Sequence, residues 1–389
     1  MSRGETAGER YDVAVVGIGG MGSAALYHLA SAGLRVLGLE RFDIAHDRGS
    51  SHGDSRILRL AYFEDPRYVP LARRSLELWH ALERESGERL FTQTGGIDGG
   101  PEDDEIFQGS LDSCLRHGLT HEVLTAVELR ERYPAFGMPR GHRFVVQPDA
   151  GSLDPEGGVE AHARMAEAMG AELRTGVQVE GWESEGAGVR LRLRESPDVL
   201  ADRLVLTAGA WTSDLLTRPM PHLRVERQVV AWTAPDEPAR FEPSRFPVFN
   251  IQVGGGHHYG FPSLAGRGPK IGRFGHLAEE THPDALRREA TSADRALLQG
   301  FSDLYLRGAG QITDTSPCMF TVSDDTHFIV DRVPDSPVVI GCGFSGHGFK
   351  FASAIGEAIA ALVQERSPRE DIDHLRWDRP ALSIPSGPR

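Results

Sequence analysis

The sequence predicts an α/β protein in which one parallel sheet is assembled from three distant parts of the chain. The first observation is an apolar strand, a glycine-rich turn and a helix within residues 11–40. A strand followed by a glycine and a helix recurs in the stretch that begins at residue 203, and again within residues 338–365. The residues between these segments are rich in short β-like runs, which predicts a second, β-rich domain.

The first unit has the spacing of a dinucleotide-binding turn. Its glycines follow the pattern G-x-G-x-x-G, and an acid closes the second strand 40 − 17 = 23 residues after the first glycine: Gly17, Gly19, Gly22 and Glu40. The first glycine permits the tight turn, the second lets a pyrophosphate approach the backbone, and the third lets the helix pack on the strand. The helix N-terminus offers free N–H groups to phosphates. Glu40 is placed to accept hydrogen bonds from a ribose, so this unit predicts FAD or NAD(H) and leaves that choice open.

The remaining elements follow from hydrophobic periodicity and turn residues. Predicted helices cover residues 68–86, 103–118, 126–132, 156–169, 292–306 and 352–365. Predicted strands cover Thr92–Gly99 with a Gly-Gly turn, Arg143–Gln147, 171–179, 187–194, Arg203–Thr207, 223–233, two or three runs in 246–275, His327–Asp331 and Val338–Cys342. Residues 151–155 predict a turn, and the segment from Arg56 to Leu60 fits a helix or a strand.

Composition and charge disfavour several classes of partner. The 389 residues are 40% hydrophobic and 25% charged, which is enough for a large core and two domains. A net charge of −14 disfavours nucleic acid and anionic membranes. The sequence has no secretory signal and no membrane span, so we expect a cytoplasmic protein. The cysteines have neither metal-ligand spacing nor a disulfide framework, and we expect no metal: Cys114, Cys318 and Cys342.

Four stretches carry a resemblance that runs, in order, over nearly the full length. They are the N-terminal unit, SHGDSRILR at 51–59, YGFPSLAGRGPKIG at 259–272, and PCMFT, HFIVD and GFSGHGFKF within 317–351. Together they resemble the monomeric sarcosine oxidase and N-methyl-tryptophan oxidase family of flavin amine oxidases. The resemblance favours FAD over NAD(H). It implies a glutathione-reductase-like FAD domain (1–85, 150–215 and 320–389) and a β-rich substrate domain of p-hydroxybenzoate-hydroxylase type (86–149 and 216–319).

The resemblance also implies how FAD is held. In that family the cysteine of the CM[YF]T motif carries the flavin through a thioether, and here it is Cys318. A single cysteine is otherwise most often a buried apolar residue, which is how we interpret Cys342. The other expected FAD-binding residues are Gly17, Gly19, Gly22, Glu40, Arg41, Ser50, Ser51, Val179, Gly343, Ser345, Gly346, Gly348 and Lys350.

By the same resemblance, Arg59 and Lys350 hold the substrate carboxylate. A planar guanidinium binds a carboxylate with two hydrogen bonds, and an ammonium completes the clamp. Lys270 matches the lysine that activates oxygen, where a cation stabilises negative charge as it develops. The remaining candidates for catalysis or for the substrate cavity are His52, Arg56 and Tyr259.

Spacing alone would favour other interpretations of these residues. Arg56 and Arg59 would be ion-pair residues, with Asp54 and Glu64 close in sequence. His52 would be structural, and Lys270 would be a surface lysine at a turn. The assignment of these residues to a functional site therefore depends on the motifs that contain them, and not on their residue types alone.

Two positions depart from the sarcosine oxidase pattern. The tyrosine after the Cys-Met pair is Phe320 here, and the histidine four residues after the lysine is Phe274, unless a gap brings His276 into its place. Both changes replace a polar group by an apolar ring. They put sarcosine itself in doubt and favour a bulkier or more hydrophobic amine by roughly 1–3 kcal/mol.

The expected function is an FAD-dependent oxidase of a secondary, N-methyl-type α-amino acid. The amine becomes an imine that hydrolyses to an aldehyde and an amine, while O2 is reduced to H2O2. Alternatives are an oxidase of a cyclic imino acid such as proline or pipecolate, a biosynthetic tailoring amine oxidase, an NAD-dependent dehydrogenase, and a flavoprotein subunit of a larger complex. The dehydrogenase leaves Cys318 and the C-terminal glycine-rich block unexplained. We expect a monomer whose partners are a small amine and O2.

Overall fold

The computed structural model describes residues 9–216 and 221–382, so parts of the expected domains (1–8, 217–220 and 383–389) lie outside it. The helices are α1 (Gly20–Ser31), α2 (Tyr68–Ser86), α3 (Glu105–His117), α4 (Ala126–Arg132), α5 (Pro155–Ala168), α6 (Thr212–Leu215), α7 (Ser292–Tyr305) and α8 (Ala352–Val363). The strands are β1 (Arg10–Val16), β2 (Val36–Leu39), β3 (Arg56–Leu58), β4 (Phe91–Gln93), β5 (Gly96–Pro101), β6 (Glu122–Thr125), β7 (His142–Gln147), β8 (Gly151–Leu153), β9 (Glu172–Arg174), β10 (Val179–Glu185), β11 (Gly188–Leu193), β12 (Val199–Leu206), β13 (Leu223–Ala234), β14 (Val248–Val253), β15 (Gly256–Ser263), β16 (Pro269–Arg273), β17 (Glu279–Glu280), β18 (Gln311–Ser323), β19 (Ile329–Arg332) and β20 (Val338–Cys342).

The first sheet is built on five parallel strands in the order β9-β2-β1-β12-β20. Two antiparallel strands, β10 and β11, extend it from the start of β12, and β19 pairs with β20. Along β1 the side chains alternate between two cores. Val13 and Val15 face the core built with α1, α5 and α8, whereas Ala14 and Val16 face the core that includes β10 and β11. Both faces of the parallel strands are therefore buried, as expected for an α/β sheet.

The second sheet has nine strands and is mainly antiparallel. Its order is β17-β13-β16-β15-β14-β5-β7-β6, and β18 pairs with the other edge of β13 along its whole length. One face packs under α7, where Val229, Ala231 and Ile271 join Leu298 and Phe301 in a core. Because side chains alternate along each strand, residues 230, 270 and 272 point to the opposite face. A small sheet, β3-β8-β4, completes the fold.

The predicted α/β fold class is confirmed, and several elements lie where the sequence placed them. The helix at 68–86 and the strand at Val338–Cys342 have the predicted bounds. The segment after Arg56, which was left open, is the strand β3. Among the described residues, no helix is long and apolar enough to cross a membrane.

Three sequence predictions are wrong in detail. The Gly-Gly turn predicted within Thr92–Gly99 is present, but it divides two strands instead of belonging to one: Gly95, with φ 72°, turns the chain from β4 in the small sheet to β5 in the nine-stranded sheet. The predicted turn at 151–155 holds β8, and only Asp154 and Pro155 begin the helix α5. Residues 171–179 contain the three-residue β9, after which Gly176, with φ 68°, redirects the chain towards β10.

Candidate active site

The carboxyl ends of the parallel strands open onto one cavity. Val16, Leu39, Thr207 and Gly343, which lie at or just beyond the ends of β1, β2, β12 and β20, all line it. The opposite wall is the face of the nine-stranded sheet that points away from α7. Ligands of open α/β sheets bind at this edge.

The three glycines of the first turn have different roles. Gly17 has φ 88°, and a Cβ there would lie 2.7 Å from the Thr207 carbonyl oxygen. A Cβ on Gly22 would lie 1.8 Å from the Gly17 oxygen, so Gly22 permits α1 to pack on this turn. A Cβ on Gly19 would meet only Ser51 Oγ, at 3.5 Å. Gly19 is therefore not required by packing, and its missing side chain leaves space in the cavity, at a helix start with no side-chain cap.

Glu40 is fixed at the end of β2. Its Oε2 accepts a hydrogen bond from the Ile18 N–H at 2.8 Å, and its Oε1 accepts one from the Phe42 N–H at 3.0 Å. Each carboxylate oxygen has a second lone pair. The buried Glu40 carboxylate therefore offers a hydrogen-bond acceptor in the cavity.

Residues that follow β2 and β12 form an aromatic and basic group at this end of the cavity. The Arg41 guanidinium lies 5.6 Å from the Trp211 ring centre, and both side chains donate hydrogen bonds to Asp284 at 2.9 Å. Val179, at the start of β10, lines the same region. Trp211 was not predicted as a site residue, although it follows the quoted strand and glycine.

A second tight turn follows β20. Gly343, Ser345 and Gly346 have φ values of 62°, 47° and 81°. A Cβ on Gly346 would lie 2.4 Å from the Phe320 ring, so this glycine lets the turn approach β18. The Ser345 N–H donates to the Thr321 carbonyl at 2.9 Å. The turn then leads through residues 349–351 into α8.

The sheet face presents alternate residues to the cavity. They are Val230 from β13, His257, Tyr259 and Phe261 from β15, Lys270 from β16, and Ser316, Cys318 and Phe320 from β18. Gly272 lacks a side chain where a Cβ would lie 2.4 Å from the Tyr259 ring, so it makes room for that ring. The cross-strand partner of Cys318 is Gln228 on β13.

Lys270 is buried and held by the loop before β3. Its Nζ donates to the carbonyl oxygens of Gly53 and Ser55 at 2.7 and 2.8 Å, and it lies 4.1 Å from the Phe261 ring centre. Burial, aided by the positive charge of Arg56, lowers the pKa of Lys270. A protonated amine has three N–H groups, so one remains for the cavity.

The same loop carries His52 and Arg56. Arg56 donates to the backbone carbonyls of Ser50, His52 and Ser55, so its guanidinium braces the loop. Burial lowers the pKa of His52 to about 4, and Arg56 acts in the same direction. His52 Nε2 is buried without a hydrogen-bond partner among the described residues. This neutral imidazole therefore has one polar atom left for a ligand.

Cys318 is buried and lines the cavity. Burial raises the pKa of its thiol, whereas the nearby charges of Arg56 and Lys270 act in the opposite direction. Ser50 ties the loop to the same strand, because its Oγ donates to the Met319 carbonyl at 2.7 Å. The loop and β18 are thus joined next to Cys318.

Arg59 and Lys350 also line the cavity, together with Glu64, whose negative charge interacts with both of them. Arg59 Nη2 donates to both Glu64 oxygens at 2.7 Å, as spacing alone suggested, and Nη1 donates to the Ala61 carbonyl. Lys350 Nζ donates to the His347 carbonyl at 2.7 Å. Burial, with the charge of Arg59, lowers the pKa of Lys350 to about 7. Burial raises the pKa of Glu64, but the Arg59 guanidinium outweighs it and lowers that pKa to about 2.

An aromatic wall is formed by Phe63, His257, Phe274 and Phe320, of which the last three line this end of the cavity and Phe63 packs against His257. The Phe274 ring stacks on His257 at 5.3 Å and contacts Phe320 at 5.4 Å, while Phe63 meets His257 edge-on at 5.5 Å. The alternative residue, His276, is buried elsewhere, where its Nε2 lies 2.8 Å from Asp294 Oδ1. Phe274 therefore occupies the cavity position.

The structure brings the predicted site residues together with a single exception. All of them line this cavity except Gly22, which serves packing. The residues that also line it without having been predicted include four with polar or aromatic side chains: Glu64, Trp211, His257 and His347. His347 lies inside the quoted stretch GFSGHGFKF, and His257 lies two residues before the quoted stretch that begins at Tyr259. Their position beside matched residues was the only sequence signal for them.

Comparison with known proteins agrees with this geometry. The family model described as FAD dependent oxidoreductase matches residues 12–362. The chain belongs to this family. It is 38% identical over 380 residues to the monomeric sarcosine oxidase of Bacillus sp. (strain B-0618), with 96% of this chain and 97% of the relative covered. It is 33% identical over 368 residues to the N-methyl-L-tryptophan oxidase of Yersinia pestis (strain Pestoides F), covering 93% and 97%.

Solved structures show the same fold. NikD, an unusual amino acid oxidase essential for nikkomycin biosynthesis, has a TM-score of 0.84 at 26% identity and covers 98% of this chain and 100% of its own. Glycine oxidase from Geobacillus kaustophilus, at 20% identity, has a TM-score of 0.80, with 95% of this chain and 99% of its own covered. The expected flavin-dependent amine oxidoreductase and its FAD cofactor are confirmed. The open start of α1, the space at Gly19 and the unpartnered His52 Nε2 fit this cofactor.

A pair of glycine substitutions separates FAD binding from folding. Gly19→Ala adds a Cβ that the protein tolerates but that occupies the space of the pyrophosphate, so we expect a folded protein with about tenfold less flavin. Gly22→Ala places a Cβ against the Gly17 oxygen and should impair folding itself. Circular dichroism and the ratio of flavin to protein absorbance measure both effects. Gly300→Ala, where a Cβ meets nothing within 4 Å, is the control. Full flavin content in folded Gly19→Ala would contradict this role.

Proposed function

We propose that this protein is an FAD-dependent oxidase of a secondary, N-methyl-type α-amino acid. The observation that carries the proposal is the pairing of two buried cations, Arg59 and Lys350, with an otherwise aromatic wall in the cavity that also holds Lys270. An α-amino acid brings a carboxylate to the cations and an apolar substituent to the rings. Relatives at 33–40% identity are named for sarcosine and N-methyl-L-tryptophan, which supports this substrate class.

The glycine turns after β1 and β20 would hold FAD, which when bound would supply the redox chemistry: it would accept a hydride equivalent from the C–H beside the amine nitrogen, whose N–H proton is also lost, and return two electrons with two protons to O2 as H2O2. The amine thereby becomes an imine, and water adds to it to release an aldehyde and an amine. The protein orients the substrate and sets the charges around it. We propose Arg59 and Lys350 as its carboxylate clamp, because a guanidinium and an ammonium together match a carboxylate's two oxygens.

The clamp requires an exchange of partners. Arg59 is already bound by both oxygens of Glu64, so a substrate carboxylate competes with Glu64 for the same guanidinium. Within residues 9–216 and 221–382, the one hydrogen-bond acceptor of Lys350 Nζ is the His347 carbonyl, which leaves two of its N–H groups when it is protonated. We infer that Lys350 receives the carboxylate first and that Arg59 completes the clamp.

We propose Lys270 as the group that promotes the reaction with O2. Two carbonyls fix its Nζ, and a third N–H is left to stabilise negative charge on oxygen. His52 and Tyr259 complete the lining, with Arg56 bracing the loop. Phe274 and Phe320 favour an apolar substituent on the amine or the α-carbon.

The covalent link through Cys318, the division into two discontinuous domains and the monomeric state belong to the same proposal. The contact of the 343–346 turn with Phe320 and the Ser50 hydrogen bond next to Cys318 support a flavin edge at this point. A second candidate is a biosynthetic tailoring oxidase, favoured by the TM-score of 0.84 to NikD. Turnover of N-methyl amino acids, compared with that of proline and pipecolate, separates the first candidate from the cyclic imino acid alternative.

The oxidase proposal predicts peroxide from an N-methyl amino acid in air. In Lys270→Met, we expect the rate of flavin reoxidation by O2 to fall about 100-fold, because the fixed cation is lost. Reduction of the flavin by the amine without O2 should continue. Stopped-flow absorbance measures the two steps separately. Arg267→Met, which removes a cation that stacks on Trp232 outside the cavity, is the matched control. A wild-type enzyme that is reduced by amine but never reoxidised by O2 would exclude an oxidase.

The covalent link predicts yellow colour that survives acid precipitation. Wild-type protein should keep its flavin in the pellet, and Cys318→Ser should release all of it to the supernatant. Cys114→Ala and Cys342→Ala, which change the other two buried cysteines, should keep a yellow pellet. A yellow Cys318→Ser pellet would assign the attachment to another residue.

The clamp predicts a pH dependence that originates at Lys350. Its pKa is lowered to about 7, so the ammonium that binds a carboxylate is lost as pH rises above 7. Binding of phenylacetate, which does not titrate in this range, should weaken up to about tenfold per pH unit. Flavin absorbance measures the dissociation constant. The chain has only two lysines, so 13C-labelled lysine also reports the pKa from two resonances. An unchanged pH dependence in Lys350→Met would refute this origin.

A further inference from the structure

His257 is the polar member of the aromatic wall. It lies on β15 two residues before Tyr259, and both side chains line the cavity. Its ring is stacked on Phe274 with an angle of 15° between planes, and Phe63 meets it at 75°. The ring is therefore held on two sides and cannot rotate away without breaking both contacts.

The hydrogen-bond network behind the wall fixes which ring nitrogen carries the proton. The Ala61 N–H is a backbone donor, so Gln147 turns its oxygen to it, at 2.7 Å, and its NH2 to Asp98, at 2.8 Å. Asp98, which also lies beside Arg59, accepts a second hydrogen bond from Asn250 Nδ2 at 2.9 Å. The Asn250 oxygen therefore faces His257 Nε2, at 3.4 Å. Nε2 must be the protonated nitrogen.

The other nitrogen, Nδ1, is consequently a bare acceptor. Burial lowers the pKa of His257 to about 3, so the ring is neutral at physiological pH. Nδ1 has no hydrogen-bond partner among the residues that the structure describes. The neighbouring His258 differs, because its Nδ1 is paired with the Gly256 carbonyl at 3.0 Å and its ring stacks on Phe301 on the other face of the sheet.

We propose that His257 Nδ1 accepts a hydrogen bond from the substrate side chain, so that the enzyme selects amino acids whose aromatic side chain bears an N–H or O–H donor. This inference rests on the proposed function and narrows its substrate class. Apolar rings pack on the ring that carries this acceptor, and Phe320 extends the apolar surface beside Phe274, so the wall matches a side-chain ring that carries one donor, such as an indole or a phenol. A purely apolar side chain would bury Nδ1 without a partner, and such a loss discriminates more strongly than a change in apolar volume.

The test compares substrates that differ only in the donor. N-methyltyrosine against N-methylphenylalanine, and N-methyltryptophan against its 1-methylindole derivative, form two pairs. In wild-type holoenzyme we expect kcat/KM to be about tenfold or more higher for the donor-bearing member of at least one pair. His257→Phe keeps an aromatic ring that can stack but removes the acceptor. The ratio of kcat/KM values should therefore fall to near one, mainly because kcat/KM for the substrate without the donor rises.

Two further variants keep the test decisive. His258→Phe removes the neighbouring histidine from the other face and should leave the ratio unchanged. His257→Gln provides a side-chain acceptor and should recover part of the preference for the donor-bearing substrate. This variant also keeps the proposal testable if His257→Phe folds poorly. A wild-type ratio near one in both pairs, or an equal loss for both members of a pair in His257→Phe, would overturn the proposal.

A binding assay separates this inference from the proposed reaction. Indole-3-acetate and 1-methylindole-3-acetate bring the same carboxylate without an oxidisable amine, and flavin absorbance reports their dissociation constants. Tighter binding of indole-3-acetate in wild type but not in His257→Phe supports the inference even if no N-methyl amino acid is turned over. Turnover of these amino acids without either preference would keep the oxidase and reject the role of His257.

Discussion

The register of the antiparallel ladder between β13 and β18 controls the whole site. It pairs Cys318 with Gln228 and continues along the full length of β13. Because successive side chains alternate, a slip of one residue would turn Cys318 and Phe320 to the opposite face and bring Met319 into the cavity. The same alternation on β15 and β16 presents Tyr259 and Lys270. The core under α7 fills the opposite face and makes any slip costly.

Both lysines of the chain lie in the cavity, whereas all its other basic residues apart from histidine are arginines. Lysine and arginine together number 42, and only two of them, Lys270 and Lys350, are lysines, both buried in the site. Arginine keeps its charge when it is buried, as Arg59 does between Glu64 and Asp98. A lysine pKa follows its surroundings, and burial lowers the pKa of Lys350 to about 7. The cavity thus combines Arg59, which stays charged, with Lys350, whose protonation can change with its surroundings.

The sequence predicted the glycine turns, the parallel strands and the family because these depend on local spacing. It did not indicate β18, whose polar residues and Pro317 hide a strand. Proline is tolerated there because, among the described strands, β18 pairs only with β13 at one of its two edges. Nor could local patterns show His257 in the aromatic wall, because its contacts with Phe63 and Phe274 join distant parts of the chain. Local motifs were therefore sufficient to predict residues that line the cavity, whereas the contacts between those residues depend on packing between distant parts of the chain.

Asp98 links Arg59 to the aromatic wall through side-chain contacts. It lies 3.8 Å from Arg59 and accepts hydrogen bonds from Gln147 and Asn250, and Asn250 in turn faces His257. Burial raises the pKa of Asp98, while the positive charge of Arg59 opposes that shift. If a substrate carboxylate draws Arg59 away, Asp98 loses the charge that favours its ionised form. Its hydrogen bonds from the two amides would then become its main stabilisation, and they would couple the proposed carboxylate clamp to the orientation of the aromatic wall.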